Sequence, residues 1–173
     1  MRKAQKVIGA ILAVFMMMFP YAIIFIGDVL DDLQVGERIV DVFDILTIVA
    51  FAALVLLNVA QVIEWVVTVK EGEWLLFWSM LLRISNLLFD MIAALFGIVY
   101  LLLWSVADRD GAWELLFLWM ALAIVPCVYG VIGNVLAAKE GYFSRGMTVV
   151  FCILQFVPGA SLFCSIVPYG MVT

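Results

Sequence analysis

The chain is organised around residues 57–100, which read LNVAQVIEWVVTVKEGEWLLFWSMLLRISNLLFDMIAALFGIVY. Two long apolar runs are joined here by a Lys-Glu-Gly turn at residues 70–72, and this pattern predicts a helix hairpin. Three ionisable residues, Glu64, Arg83 and Asp90, interrupt the apolar runs. Charge inside an apolar segment is costly, so these positions require either a structural or a functional explanation.

The composition of the whole chain predicts an integral membrane protein. Of the 173 residues, 68% are hydrophobic and 13% are charged, and the mean hydropathy is +1.23. A soluble domain is nearer to half apolar and a quarter charged. The apolar runs are continuous and do not alternate, which predicts helices. We therefore expect the lipid bilayer to be a partner of this chain, and we expect no nucleic-acid partner.

The residue types that are missing or isolated limit the possible chemistry. The chain has no histidine, which excludes a Ser-His nucleophile, His-containing zinc sites and His-ligated haem. Cys127, Cys152 and Cys164 lie in apolar segments without Cys-x-x-Cys spacing, so we interpret them as core residues. We predict no metal site and no cofactor.

The hydropathy pattern predicts an all-α membrane protein with one transmembrane domain, 1–173, and five transmembrane helices, at about 7–26, 45–69, 73–107, 113–138 and 142–167. An acidic connector at residues 28–44 follows the first helix. The third segment has 35 residues, or ~52 Å of helix, so it either bends near Arg83 or tilts as one long helix. A bend is expected to return Arg83 to the membrane interface. Pro158 and Gly159 interrupt the fifth helix.

The positive charges predict the orientation in a cell (inner) membrane. If the N-terminus is cytoplasmic, seven of the nine basic residues fall on or towards the cytoplasmic side. These seven are Arg2, Lys3, Lys6, Lys70, Arg83, Lys139 and Arg145. Because cytoplasmic loops carry the excess of Lys and Arg, we expect a cytoplasmic N-terminus and a C-terminus outside.

An internal repeat is also indicated. A shift of 69 residues aligns residues 61–74 with 130–143 and superimposes the two Lys-Glu-Gly turns. In this register the polar residues of the first hairpin fall on small residues of the second, including Gly130 and Gly133. Small residues allow helices to approach closely in lipid. We therefore predict one added helix followed by two helix hairpins in a parallel repeat.

The polar residues of the hairpin form the candidate binding site. Helical spacing places Asn58, Gln61 and Glu64 on one face, and Arg83, Asn86 and Asp90 on another. Counting outwards from the turn places Glu64 within reach of Arg83. The predicted substrate- or ion-binding residues are Glu64, Asp90, Arg83, Asn58, Gln61, Asn86 and Gln155.

Three interpretations of this cluster remain open. In the purely structural interpretation, Glu64 and Arg83 form a neutral pair, and the Asn and Gln side chains make hydrogen bonds between helices. The functional interpretation is a site for a cation, proton or cationic substrate in a small transporter or channel-like protein. The alternative is a non-catalytic membrane subunit, scaffold or immunity-type protein. Its small-residue face would bind a larger membrane partner, whereas a homo-oligomer would support transport. An enzyme is not favoured, because no nucleophile lies beside a base and no catalytic residue can be named.

Overall fold

The computed structural model of the chain describes residues 2–33, 36–88, 91, 95, 109–157 and 160–173. All regular secondary structure within these residues is helical, and they contain no strand. The predicted all-α class is therefore confirmed. Six helices are formed by this part of the chain: α1 (Arg2–Asp32), α2 (Glu37–Thr68), α3 (Gly72–Ser85), α4 (Arg109–Lys139), α5 (Arg145–Leu154) and α6 (Ala160–Val172).

Three stretches among the described residues are long and apolar enough to cross a membrane. They are Lys3–Leu30 in α1, Arg38–Thr68 in α2 and Leu122–Lys139 in α4. Large side chains such as Phe25 and Leu56 are each 69% exposed, and many other apolar side chains of α1 and α2 are also exposed. Apolar surface of this extent is unfavourable in water. Helix length and composition thus indicate a membrane protein.

The chain divides into two compact units, and the first is Met1–Ile63. It contains α1 and most of α2. The Asn58 side-chain amide donates to the carbonyl oxygens of Leu54, at 2.9 Å, and Leu12, at 3.4 Å. Gln61 Nε2 donates to the carbonyl oxygen of Gln5 at 3.1 Å. These side chains bridge α1 and α2, because lipid offers no alternative partner to a polar group.

Both long helices extend beyond their apolar segments. Most of the predicted acidic connector at 28–44 is helical, since α1 continues to Asp32 and α2 begins at Glu37. Hydropathy marks only the part of a helix that fits the hydrocarbon core, ~30 Å thick. Charged residues at the ends of a helix project beyond this core without ending the helix. The pattern therefore located the apolar segments and missed the helix ends.

The second unit, Glu64–Thr173, contains the last turn of α2 and helices α3 to α6. Helix α3 packs against α4 and α6, and α5 also packs against these two helices. The ring of Trp65 stacks on Trp74 with centroids 4.2 Å apart, and Trp74 also contacts Tyr129. Trp65 and Tyr129 are fully buried. This aromatic packing joins the end of α2 to α3 and α4.

The two Lys-Glu-Gly turns have different conformations. In the first turn, Lys70 has a positive φ of 61°, and Gly72 is already the first residue of α3. In the second turn Gly141 has the positive φ, at 94°. Glu140 Oε1 of the second turn accepts a hydrogen bond from the backbone N–H of Gly72 at 3.1 Å. The second turn thus caps α3, which is the helix that follows the first turn.

The third predicted segment is interrupted. Helix α3 ends at Ser85, and Asn86 caps it with φ −93° and ψ 9°. Of the next residues, 87, 88, 91 and 95 are also helical. Of the two alternatives, a bend near Arg83 or one long helix, the helix end at Ser85 agrees with the first, and Arg83 is only 1% exposed. The return of Arg83 to the membrane interface stays a prediction, and within the described chain the side chain is covered by residues of α4 and of the end of α5.

The fifth predicted segment is also divided. Helix α5 ends at Leu154, residues 155–157 form turns and a bend, and α6 begins at Ala160. Pro158 and Gly159, the predicted interruption, lie outside the described residues. The helix end leaves backbone carbonyl groups without partners inside α5. The carbonyl of Gln155 is one of them, and it becomes part of the site.

Candidate functional site

Arg83 is the centre of a buried polar cluster in the second unit. Its Nη2 atom donates to the Gln155 carbonyl oxygen at 2.8 Å and lies 2.8 Å from Cys127 Sγ. The Cys127 thiol also donates to the Gln155 carbonyl, at 3.1 Å. One carbonyl at the end of α5 therefore accepts bonds from α3 and α4. A helix end can do this because its carbonyl is not used within the helix.

Gln155 also contributes its side chain to the cluster. Nε2 donates to the carbonyl oxygen of Cys164 at 2.8 Å, and Oε1 accepts from Ser165 Oγ at 3.3 Å. The residue is fully buried. Its backbone thus binds α3 and α4 while its side chain binds α6. Two predicted site residues, Arg83 and Gln155, are brought into direct contact.

Ser79 extends the cluster one helical turn from Arg83. Its hydroxyl donates to the Pro126 carbonyl oxygen at 2.9 Å and lies 3.1 Å from Ser165 Oγ. Ser165 also donates to the Ser161 carbonyl at 3.0 Å. All three serine residues are fully buried. This hydroxyl chain joins α3, α4 and α6 in the interior of the unit.

Glycine in α4 makes the space for this cluster. A Cβ atom at Gly130 would lie 2.6 Å from Gln155 Nε2 and 2.8 Å from Ser79 Oγ. Such a contact is shorter than side chains tolerate. The small-residue pattern of α4 therefore has a structural role, since Gly130, Gly133 and Ala137 contact α3 within the same chain. The small-residue face of α4, which we predicted would bind a partner protein, is covered by α3.

Three of the remaining predicted site residues, Asn58, Gln61 and Glu64, belong to α2. Asn58 and Gln61 are buried in the first unit, where they bond to backbone carbonyls of α1. Glu64 is exposed in the last turns of α2, at the start of the second unit, whereas Arg83 is buried. Asp90 lies outside the described residues. The predicted contact between Glu64 and Arg83 stays a prediction.

Asn86 differs from the other polar residues of the cluster. It is 3% exposed and lies one turn beyond Arg83 at the end of α3. Neither Asn86 Nδ2 nor Oδ1 has a hydrogen-bond partner among the described residues. A buried amide without partners is unusual in a native fold. This side chain is therefore a candidate contact for a molecule that enters the site.

Sequence reasoning missed four polar groups of this region: Ser161, Cys127 as a hydrogen-bond donor, Ser165 and Asn134. Ser161 and Ser165 gave no distinct signal, because serine is neutral and small and occurs widely in transmembrane helices. Asn134 was overlooked although it is the only Asn in the small-residue segment of α4. Its spacing from Cys127, seven residues, places both on one helix face and could have identified it.

An apolar groove adjoins the cluster. It has a volume of about 670 Å³ and is lined by residues of α4 together with Phe156. The lining residues are Ala123, Ile124, Cys127, Val128, Val131, Ile132 and Phe156. Cys127 therefore contacts both the groove and Arg83. Apart from that thiol, the groove offers only van der Waals contacts, so it suits an apolar occupant.

No family model, curated protein or solved structure matches this chain. The described residues also contain no group of three His, Cys, Asp or Glu side chains that could hold a metal ion. A functional interpretation must therefore be based on the geometry of the Arg83 cluster.

Proposed function

We propose that this chain is a small polytopic transporter or channel-like protein of a cell (inner) membrane. Its polar intramembrane site would take a cation, proton or cationic substrate. The observation that carries the proposal is the burial of Arg83, which is hydrogen-bonded to the Cys127 thiol of α4 and to the backbone carbonyl of Gln155 at the end of α5. Ionisable residues inside membrane segments are expensive and are functional-site candidates by default.

The proposed site combines Arg83 and Gln155 with Asn86 and Asp90. Asp90 follows Asn86 by four residues, so a continuing helix would place the carboxylate on the face of Arg83. A carboxylate near a fixed guanidinium can exchange a proton or a cation as its surroundings change. Glu64 is proposed as a second carboxylate, nearer to the end of α2.

The finer architecture belongs to the same proposal. Five spans arise if the third predicted segment continues beyond α3, where residues 87, 88, 91 and 95 are helical, and if α5 and α6 together form the fifth. Two parallel-repeat hairpins and one added helix would then build a single transmembrane domain. The distribution of Lys and Arg supports a cytoplasmic N-terminus and a C-terminus outside.

A flux measurement tests the function. The purified chain is reconstituted in liposomes, and proton and potassium flux are followed with a trapped pH-sensitive dye and an ion-sensitive dye. We expect flux above that of empty liposomes, and loss of it in Asp90→Asn. Asp41→Asn is the matched control, because Asp41 is exposed in α2 and lies outside the proposed site. A fully active Asp90→Asn variant would refute the role of Asp90.

The apolar groove on α4 favours a second candidate function, a non-catalytic subunit that binds a larger membrane protein. Two lining residues, Ile124 and Phe156, are 45% and 63% exposed. A photo-crosslinking amino acid at either position would capture a single partner protein on this view. The control position is Val67, which is apolar and 69% exposed but lies on α2. Crosslinks to lipid alone at all three positions would exclude a partner at the groove.

A further inference from the structure

The apolar groove on α4 ends at a basic residue. The groove is lined by α4 residues between Ala123 and Ile132 and by Phe156. Lys139 follows Ile132 by seven residues, or two helical turns, so it lies on the face of α4 that lines the groove. Val135, between them on this face, is apolar and exposed. An exposed apolar surface therefore leads along α4 to a positive charge.

Arg145 holds the matching position on α5. The chain turns back after α4, and Cys152 Sγ lies 3.9 Å from the carbonyl oxygen of Val131, which lines the groove. Arg145 precedes Cys152 by seven residues, so the two residues share one face of α5. Because α5 runs antiparallel to α4, Arg145 is level with the last turn of α4. Lys139 and Arg145, both exposed, thus lie at the same end of the groove.

Glu140 is the acidic residue between these two basic residues, and its carboxylate contacts another helix. Glu140 Oε1 accepts a hydrogen bond from the backbone N–H of Gly72 at 3.1 Å, at the start of α3. The N-terminus of a helix carries a partial positive charge, which offsets a carboxylate. The charge at this end of the groove is therefore positive, and it is complementary to an anion.

The depth of the groove matches the depth of a lipid chain. The apolar stretch Leu122–Lys139 is long enough to cross a membrane, so in a bilayer Lys139 lies in a headgroup layer. At ~1.5 Å per residue, the groove extends from about 10 Å below Lys139, at Ile132, to about 24 Å below it, at Ala123. A headgroup layer of about 6 Å and half of a ~30 Å hydrocarbon core place an acyl chain about 6–21 Å below its phosphate. The two ranges overlap over most of the groove.

We propose that the groove binds an acyl chain of an anionic phospholipid and that Lys139 and Arg145 bind its headgroup. The occupant carries both a long apolar chain and a negative charge, because the groove is apolar and its end is basic. A free phosphate would leave the groove empty, and a lipid without net charge would leave the basic side chains uncompensated. Clustered Lys and Arg at a membrane surface recognise anionic headgroups. This lipid site goes beyond the proposed function and does not require transport.

Lipid binding to the full chain tests the headgroup contacts. The chain is purified in a neutral detergent, and native mass spectrometry measures the binding of dioleoylphosphatidylglycerol and dioleoylphosphatidylcholine. We expect tighter binding of phosphatidylglycerol, and about 30-fold weaker binding of it in Lys139→Gln/Arg145→Gln, because each basic residue contributes about fivefold. The matched control is Lys3→Gln/Arg38→Gln, which removes two exposed basic residues of α1 and α2.

A second variant tests the groove without a change of charge. Val128→Trp fills the groove with an indole ring, so we expect the affinity for phosphatidylglycerol to fall at least about tenfold. Val67→Trp is the matched control, since Val67 is an exposed valine of α2. Thermal unfolding without lipid shows whether each variant is folded, and Val131→Trp replaces Val128→Trp if the latter is not.

Three results in these binding measurements would overturn the lipid site. The first is equal binding of the two lipids by the native chain. The second is unchanged phosphatidylglycerol binding in Lys139→Gln/Arg145→Gln or in the folded groove variant. The third is displacement of the lipid by inorganic phosphate at millimolar concentration, which would show that the headgroup binds without the chain.

Crosslinking in membranes distinguishes a lipid from a protein in the groove. A photo-crosslinking amino acid at Ile124 is expected to capture phosphatidylglycerol, and a protein captured there in its place would assign the groove to a partner. None of these measurements depends on flux. Lipid binding without flux in liposomes would keep the lipid site and reject the proposed function, whereas flux without lipid selectivity would do the reverse.

Discussion

Arg83 is a positive charge inside an unusually apolar chain, and its neighbours explain how the fold retains it. Its Nη2 atom binds a carbonyl that the end of α5 leaves available, together with a thiol of α4. Hydrogen bonds to charged groups contribute about 1.5–3 kcal/mol each. The side chain therefore joins three helices, and its loss affects all three.

Substitution of Arg83 by Ala is expected to lower the free energy of unfolding by about 2–4 kcal/mol, because the Gln155 carbonyl and the Cys127 thiol lose a buried partner. The measurement is denaturant unfolding in detergent micelles. Arg145→Ala is the control, since Arg145 is exposed at the start of α5. Equal stability of the two variants would show that the buried contacts contribute little.

Gly130 tests the same cluster by steric means. Gly130→Ala places a methyl group within 3 Å of Gln155 and Ser79, so we expect a loss of about 1–3 kcal/mol in unfolding free energy. Gly146→Ala is the matched control, because α5 has open space at that position. Alanine favours a helix over glycine by roughly 1 kcal/mol, so the control should be neutral or stabilising. A neutral Gly130→Ala variant would show that the cluster can expand.

At the scale of helices, polar side chains cap the helix ends. The N-terminus of α3 receives the carboxylate of Glu140, and the N-terminus of α5 is capped by Ser144, whose Oγ accepts from Met147 N–H. Negative groups are favourable at a helix N-terminus, where backbone N–H groups lack partners. Each cap therefore stabilises the helix that begins at it.

Glu140 provides a prediction at this scale. Glu140→Gln removes the charge but keeps an acceptor, so we expect a loss below ~1 kcal/mol. Glu140→Lys places a positive charge at the N-terminus of α3 and should cost more. Thermal unfolding of the purified variants measures both, with Asp41→Asn as a control for loss of a surface carboxylate. A Lys variant as stable as the Gln variant would contradict the capping role.

Element boundaries also show what could be predicted from the sequence. The helical class, the apolar segments and the interruption before α6 follow from hydropathy and from Pro158. The end of α3 at Ser85 has no Gly or Pro to mark it, so the chain pattern allowed a continuous helix. The contact of Arg83 with Gln155 could not be predicted, because it depends on a carbonyl that is available only where α5 ends.

For the whole molecule, composition predicted the class of protein more reliably than helical spacing predicted the site. Three long apolar helices among the described residues agree with the predicted membrane protein. Asn58, Gln61, Arg83 and Gln155 bond to other helices, whereas the sequence analysis placed all the polar residues in one cluster. Asn58 and Gln61 bond within the first unit, whereas Arg83 and Gln155 bond within the second. Helical spacing orders residues on one helix and cannot tell which neighbour each will meet.

Membrane topology is the prediction at this scale. Alkaline phosphatase fused after residue 36 or after residue 173 is expected to be active, and a fusion after residue 71 is expected to be inactive, because only external fusions fold correctly. A green fluorescent protein fused at the same three positions should give the inverse pattern. The reverse result at all positions would place the N-terminus outside and contradict the charge rule.

The closeness of α3 to α4 has a mechanical consequence. A Cβ atom on Gly72 would lie 2.6 Å from the backbone nitrogen of Ala137, and Gly133 leaves equally little clearance for Leu76. Sliding α3 by one residue, ~1.5 Å, would bring a side chain into each of these gaps. A sliding motion of α3 along α4 is therefore opposed at both positions. A displacement of α5 and α6 would leave both of these close contacts intact, because Gly72 and Gly133 meet only residues of α3 and α4.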